Sequence, residues 1–170
     1  MDKLFSSNVN PRELSSLTLA FIGDTVYELL VREYLLGFGR RQVGELNKDK
    51  VSMVCCSAQT KALEKIKDCL TGEEEAVFKR GRNVQVNSVP KNSTLKDYHT
   101  ATGLEALFGF LYLSDRVDRV KELFSFIISK LLDTSLDEVY WPCSHSRAIP
   151  SFPSQLEWKI GLAGPTQEAA

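Results

Sequence analysis

The chain has 170 residues, of which 43% are hydrophobic and 25% charged, and its formal net charge is −1. This composition is typical of a globular protein with one full hydrophobic core, and it excludes a disordered chain. No apolar run reaches the roughly 18 residues that a membrane span requires, and the N-terminus lacks the apolar stretch of a signal peptide. We therefore expect a cytoplasmic protein without a membrane segment.

The first predicted element is a long helix, or two helices in succession, that begins near residue 10. Asn10, Pro11 and Glu13 fit the N-cap, the first and the third position of a helix. Gly37 and Gly39 are typical of its C-terminal end.

More helices follow along the chain. One is expected in the forties, the next is capped by Ser57, and another begins with a capping box at Thr71. Residues 83–95 are rich in turn formers and predict a loop. Two further helices cover residues 95–113 and 118–132, and no useful alternating strand pattern is present. The prediction is an all-α fold.

The end of the chain has a different composition. Both tryptophans and four of the six prolines lie after residue 139, without helical periodicity. We therefore predict a helical domain over residues 1–135 and a weakly ordered C-terminal extension over residues 136–170, whose native origin the sequence leaves open.

Two carboxylates stand in apolar helical sequences. Asp24 lies in "FIGDTV" and Glu105 in "TATGLEALFGFLYL", whereas Glu28 has a favourable partner in Arg32 one turn later. A buried charge without a partner costs several kcal/mol, on the order of 3 to 5. Asp24 and Glu105 therefore each need a partner or a proton.

Two explanations fit this pair of acids. If their helices are neighbours, Asp24 and Glu105 would share one Mg²⁺, which favours carboxylate oxygens completed by water. Alternatively, the acids cap loops or bind Arg80 or Arg82. The residues alone leave both explanations open.

The segment between the two acids is basic in a chain that is otherwise acidic. Over residues 79–99 five basic residues face a single acid, Asp97. Such a segment is either a solvated loop or a local binding surface for nucleic acid phosphates. The basic residues are Lys79, Arg80, Arg82, Lys91 and Lys96.

The motifs "LAFIGDTVYE", "KRGRN", "PKN" and "ATGLEALFGFLYL" occur in this order over residues 10–132. Together they resemble the catalytic domain of ribonuclease III, and more closely the Mini-ribonuclease III family, which lacks a double-stranded-RNA-binding domain. The resemblance implies a helical endonuclease domain that works as a homodimer and cleaves double-stranded RNA with Mg²⁺. It also implies a role in maturing the ends of the 23S ribosomal RNA precursor.

The resemblance assigns roles to individual residues. Asp24 and Glu105 match the catalytic carboxylates that bind metal, and Phe21 matches the aromatic residue of the dimer interface. Ala20 and Thr102 stand where the larger enzymes have two further carboxylates, as in the Mini enzymes, which puts the metal count in doubt. Between the acids lie the residues expected to bind RNA phosphates: Arg80, Arg82, Lys91 and Lys96.

The implied reaction is metal-assisted hydrolysis that leaves 5'-phosphate ends. Without a second RNA-binding domain we expect modest, salt-dependent affinity, or help from a ribosomal protein on the substrate. The missing carboxylates also keep a rival hypothesis open, a non-catalytic RNA-binding or ribosome-assembly protein of the same fold.

Overall fold

The computed structural model describes residues 9–85 and 93–131. The helices in this part of the chain, joined by short turns and by a 3-10 turn at Lys67–Cys69, are α1 Ser16–Leu36, α2 Val43–Val54, α3 Cys56–Ile66, α4 Gly72–Arg82, α5 Leu95–Leu113 and α6 Val117–Leu131. No strand occurs within these ranges, so the prediction of an all-α fold is confirmed.

The predicted start of the first helix is wrong by several residues. α1 begins at Ser16, and the side chain of Ser15 accepts a hydrogen bond from the Thr18 amide at 3.1 Å. The Asn10 side chain instead closes a separate turn by donating to the Glu13 carboxylate at 2.7 Å. Asn10 and Ser15 are both suitable N-cap residues, and only Ser15 caps the helix. The C-terminal end at Gly37 agrees with the prediction.

The next boundaries were predicted with mixed success. The capping box of α4 is present, with the Thr71 amide donating to Glu74 at 2.9 Å. Ser57 does not cap α3, because the amides of Ala58 and Gln59 both donate to the Cys55 carbonyl and place Ser57 inside the helix. α5 covers the predicted range without change.

α5 lies at the centre of the domain. Its residues 100–104 and 106–111 are buried, and α1, α3 and α4 pack around it. The Tyr27 ring of α1 meets Phe108 of α5 and Phe124 of α6 edge to face, at centroid distances of 5.3 and 5.8 Å. A helix surrounded in this way is apolar on all sides, which explains the near absence of polar residues in its second half.

A buried ion pair joins α4 to α6. Glu74 is 2% exposed and accepts hydrogen bonds at 3.0 Å from both Nε and Nη2 of Arg119. Arg119 also donates to the Cys69 carbonyl at 2.7 Å. These bonds hold the pKa of Glu74 below its usual value, although burial alone would raise it. The ion pair therefore fixes the position of α4, the helix that carries Lys79, Arg80 and Arg82.

Some predictions lie outside the described residues. They are the boundary between residues 135 and 136, the extension over residues 136–170, Lys91, and the middle of the predicted loop. Within the described ranges, no helix has a segment that is both long enough and apolar enough to cross a membrane.

Candidate active site

The two helices that carry the acids cross in direct main-chain contact. A Cβ atom added at Gly23 of α1 would overlap the Glu105 carbonyl, and one added at Gly109 of α5 would overlap the Leu19 carbonyl. Only glycine permits such an approach of two backbones. Because Asp24 follows Gly23, this crossing brings Asp24 to the position along α5 that Glu105 occupies.

Asp24 lies on the surface of the domain, so the expectation that it is a buried charge is wrong. α1 buries one face and exposes the other, although both faces contain apolar residues. Leu17 and Phe21 of the outer face are 49% and 80% exposed. Because Leu17, Phe21 and Asp24 are separated by about one turn each, they form one exposed stripe, which we name the α1 stripe.

Asp24 and Glu105 interact electrostatically. Burial raises the pKa of Glu105 to about 7, with a further contribution from the negative charge of Asp24. The pKa of Asp24 is raised as well, by partial desolvation and by Glu28, while Lys50 lowers it. Asp24 thus ionises first, and its charge then opposes ionisation of Glu105. The arrangement is a pair of carboxylates that a shared cation would stabilise.

The cations near this pair differ from those that the sequence suggested. Glu28 accepts a hydrogen bond from Arg32 Nε at 2.9 Å, as predicted, and Lys50 Nζ of α2 lies 3.5 Å from the same carboxylate. Lys50 was missed because it comes from another helix. Arg80 and Arg82 are not among the described residues whose charges shift the pKa of Asp24 or of Glu105. The alternative explanation by these arginines therefore has no support.

Gln59 of α3 is a second residue that the sequence interpretation missed. Its side chain is 1% exposed and lies next to Glu105, where it lowers the pKa of the carboxyl group. The signal was available, because Gln59 precedes Ala62, Leu63 and Ile66 on the buried stripe of α3. An amide in an otherwise apolar stripe is unusual for a position with a purely structural role.

The two positions that lack carboxylates are both buried. Ala20 contributes to the hydrophobic core, and the Thr102 hydroxyl donates to the Tyr98 carbonyl of its own helix at 3.0 Å. Thr102 is therefore engaged in a backbone hydrogen bond. Within the described residues, no group of three or more histidine, cysteine, aspartate or glutamate side chains is arranged to hold a metal ion.

A groove of about 1160 Å³ runs between α3, α4 and α5. Arg82 and Lys96, both predicted to bind RNA, line this groove, as does His99 of α5. Lys79 also lines it but is paired with Glu75 at 2.7 Å. Arg80 is exposed on α4 but does not line the groove. The structure thus brings together two of the four predicted residues.

Comparisons with known proteins agree with the motifs. The model of the ribonuclease III domain family matches residues 17–116. The Mini-ribonuclease 3 of Clostridium tetani is 36% identical over 128 residues, which cover 75% of this chain and 85% of the relative. The Mini-ribonuclease 3 of Enterococcus faecalis is 34% identical over 73% of this chain and 96% of the relative.

The chain belongs to the Mini-ribonuclease III family. A crystal structure of a Fusobacterium nucleatum protein is also similar, with 33% identity, a TM-score of 0.64 and coverage of 71% of this chain and 96% of that one. Membership in the Mini-ribonuclease III family makes the chain an endoribonuclease of the ribonuclease III type. This assignment favours the enzyme over the non-catalytic alternative.

Proposed function

We propose that this member of the Mini-ribonuclease III family cleaves double-stranded RNA in a Mg²⁺-dependent hydrolysis, and that its substrate is a stem of the 23S ribosomal RNA precursor. The observation that carries the proposal is the pair Asp24 and Glu105, which meet near the glycine crossing and whose like negative charges repel each other. The precursor stem is the substrate that the resemblance to the Mini-ribonuclease III family implies.

The donor set fits Mg²⁺. Two carboxylates offer hard oxygen ligands, and Mg²⁺ commonly binds one or two protein carboxylates while it keeps several waters. The mutual repulsion of Asp24 and Glu105 would be relieved by a divalent cation. When bound, the metal supplies activation of a water and stabilisation of the charge that develops on the phosphate.

The side chains of the chain have separate tasks in this proposal. Asp24 and Glu105 are the catalytic residues that hold the metal, and neither acts as a nucleophile. Arg82 and Lys96 bind backbone phosphates along the groove, and Arg80 and Lys91 are proposed as further phosphate-binding residues. Gln59 and Glu105 belong to α3 and α5, two of the helices that form the groove, but they do not line it.

We further propose a homodimer that is formed through the α1 stripe. Phe21 is a large apolar side chain that is 80% exposed, and Leu17 lies beside it, so the stripe provides an apolar surface for a second copy. Two copies that meet there present two acid pairs to one RNA, one for each strand. The proposal also includes a cytoplasmic location, residues 1–135 as the catalytic domain, and a ribosomal protein that strengthens substrate binding.

The test is cleavage of a double-stranded RNA that contains the precursor stem, with Mg²⁺ and with EDTA, and with products resolved on a sequencing gel. We expect Mg²⁺-dependent cuts on both strands, offset from each other. Asp24→Asn removes the charge but keeps the shape, so cleavage should fall by at least about 100-fold while RNA binding is retained.

The matched control is Asp118→Asn, which removes an acid from the exposed surface of α6. This variant should cut at the parent rate. Equal cleavage by Asp24→Asn and the parent would refute the metal assignment. Binding of the stem without any cuts by the parent protein would refute the proposed substrate and reaction.

A further inference from the structure

Gln59 has a buried amide without a hydrogen-bond partner. Neither its Nε2 nor its Oε1 meets a partner in the described part of the chain, although the side chain is 1% exposed. His99 is the other described residue with such an atom, and there only Nδ1 is affected. A buried polar group without a partner destabilises the fold, so a methionine or leucine would serve a structural role better.

The position of Gln59 next to Glu105 suggests a role for its amide. α3 packs against α5, and Gln59 is close enough to Glu105 to favour the charged form of that carboxyl group. The amide of Gln59 is thus adjacent to the carboxyl group, but neither Nε2 nor Oε1 completes a hydrogen bond in which both the length and the angle are favourable.

We infer that Gln59 is a positioning residue, which donates a hydrogen bond from Nε2 to the Glu105 carboxylate and orients it for a divalent cation. The inference deepens the proposed function and rests on it. An amide suits this task because its Nε2 only donates and a carboxylate only accepts. Because Gln59 carries no charge, it orients the carboxylate without competing with the cation for it.

Outer hydrogen bonds of this kind typically change metal affinity by about 10- to 100-fold. Gln59→Met replaces the amide by an apolar chain of similar length, and Ile66→Leu perturbs the same buried stripe of α3 without touching the amide. We would measure binding of MnCl₂ to each protein without RNA, from the electron paramagnetic resonance of free Mn²⁺, and the melting temperature in EDTA.

Gln59→Met should weaken Mn²⁺ binding by about tenfold or more and melt in EDTA at the parent temperature or above it. Ile66→Leu should bind Mn²⁺ as the parent does. In a Glu105→Gln background, Gln59→Met should have no further effect on Mn²⁺ binding. Gln59→Asn withdraws the amide by one methylene, and it provides a second variant that should weaken binding if the methionine variant does not fold.

Parent-like Mn²⁺ affinity in Gln59→Met, or equal weakening in Ile66→Leu, would overturn the inference. So would a lower melting temperature with unchanged affinity, which is the result of a purely structural role. The proposed function fails separately, if Asp24→Asn and Glu105→Gln still bind Mn²⁺ as the parent does. Loss of binding in those two variants with no change in Gln59→Met would reject the positioning role alone.

Discussion

Glu105 makes the stability of the metal-free protein depend on pH. Its pKa is about 7 in the folded protein, against an ordinary value of 4.5. The folded state therefore binds more protons than the unfolded state between these values, so stability falls as the pH rises through this window. The stabilising contribution of the neutral carboxyl group is complete below pH 4.5 and is lost above about pH 7.

We predict that Glu105→Gln raises the free energy of unfolding at pH 8 in EDTA. The gain should be on the order of 3 kcal/mol, since the variant removes a charge that burial and Asp24 both disfavour. At pH 5 the gain should be much smaller. Urea unfolding at both pH values measures the difference, with Glu33→Gln on the exposed face of α1 as control. A gain that is the same at both pH values would show that ionisation of Glu105 is not its cause.

At the level of residues, the sequence indicated the acids but not their surroundings. Asp24 and Glu105 were recognisable because each is an acid among apolar neighbours in its own helix. Lys50 and Gln59 come from α2 and α3, and nothing in their local patterns specifies a neighbour on another helix. The exposure of Asp24 was missed for a related reason. Its apolar neighbours on the outer face of α1 suggested burial, because the sequence does not distinguish an exposed apolar residue from a core one.

At the level of elements, the crossing of α1 and α5 depends on Gly23. Gly23→Ala would force a methyl group into the Glu105 carbonyl, and backbone cannot rotate away as a side chain can. We predict a loss of about 3 kcal/mol or more in the free energy of unfolding, together with loss of cleavage.

The matched control for this prediction is Gly44→Ala in α2, where an added Cβ meets nothing within 4 Å. Alanine favours a helix over glycine by up to about 1 kcal/mol, so this variant should be as stable as the parent or more stable. Chemical denaturation followed by circular dichroism compares the two. If both glycine variants unfold like the parent, the helices are not in backbone contact.

Periodicity and capping predicted which helices exist because both signals are local. The Thr71 capping box and the whole of α5 were predicted correctly on this basis. The start of α1 was not, since Asn10 and Ser15 both carry capping chemistry and the choice depends on packing. Local signals could not predict the glycine crossing, because the need for glycine at positions 23 and 109 arises only from the contact between the two helices.

At the level of the whole molecule, the exposed apolar part of the α1 stripe is the surface through which we propose that a second copy binds. We predict that Phe21→Glu converts a dimer to a monomer while the melting of the monomer itself changes little, because Phe21 is 80% exposed. Sedimentation equilibrium of the parent, Phe21→Glu and the control Val43→Glu on exposed α2 checks this result. A parent protein that is monomeric at micromolar concentration would contradict the proposed interface.

The main-chain contact at Gly23 and Gly109 also limits how the domain can fluctuate. α1 and α5 already touch at this point, so thermal motion can separate them but cannot bring them closer. The distance between the two helix backbones thus has a lower bound at this point, and its distribution should be skewed toward wider separations. Substitutions that loosen the domain should therefore widen the spacing of α1 and α5 at the acid pair and should not narrow it.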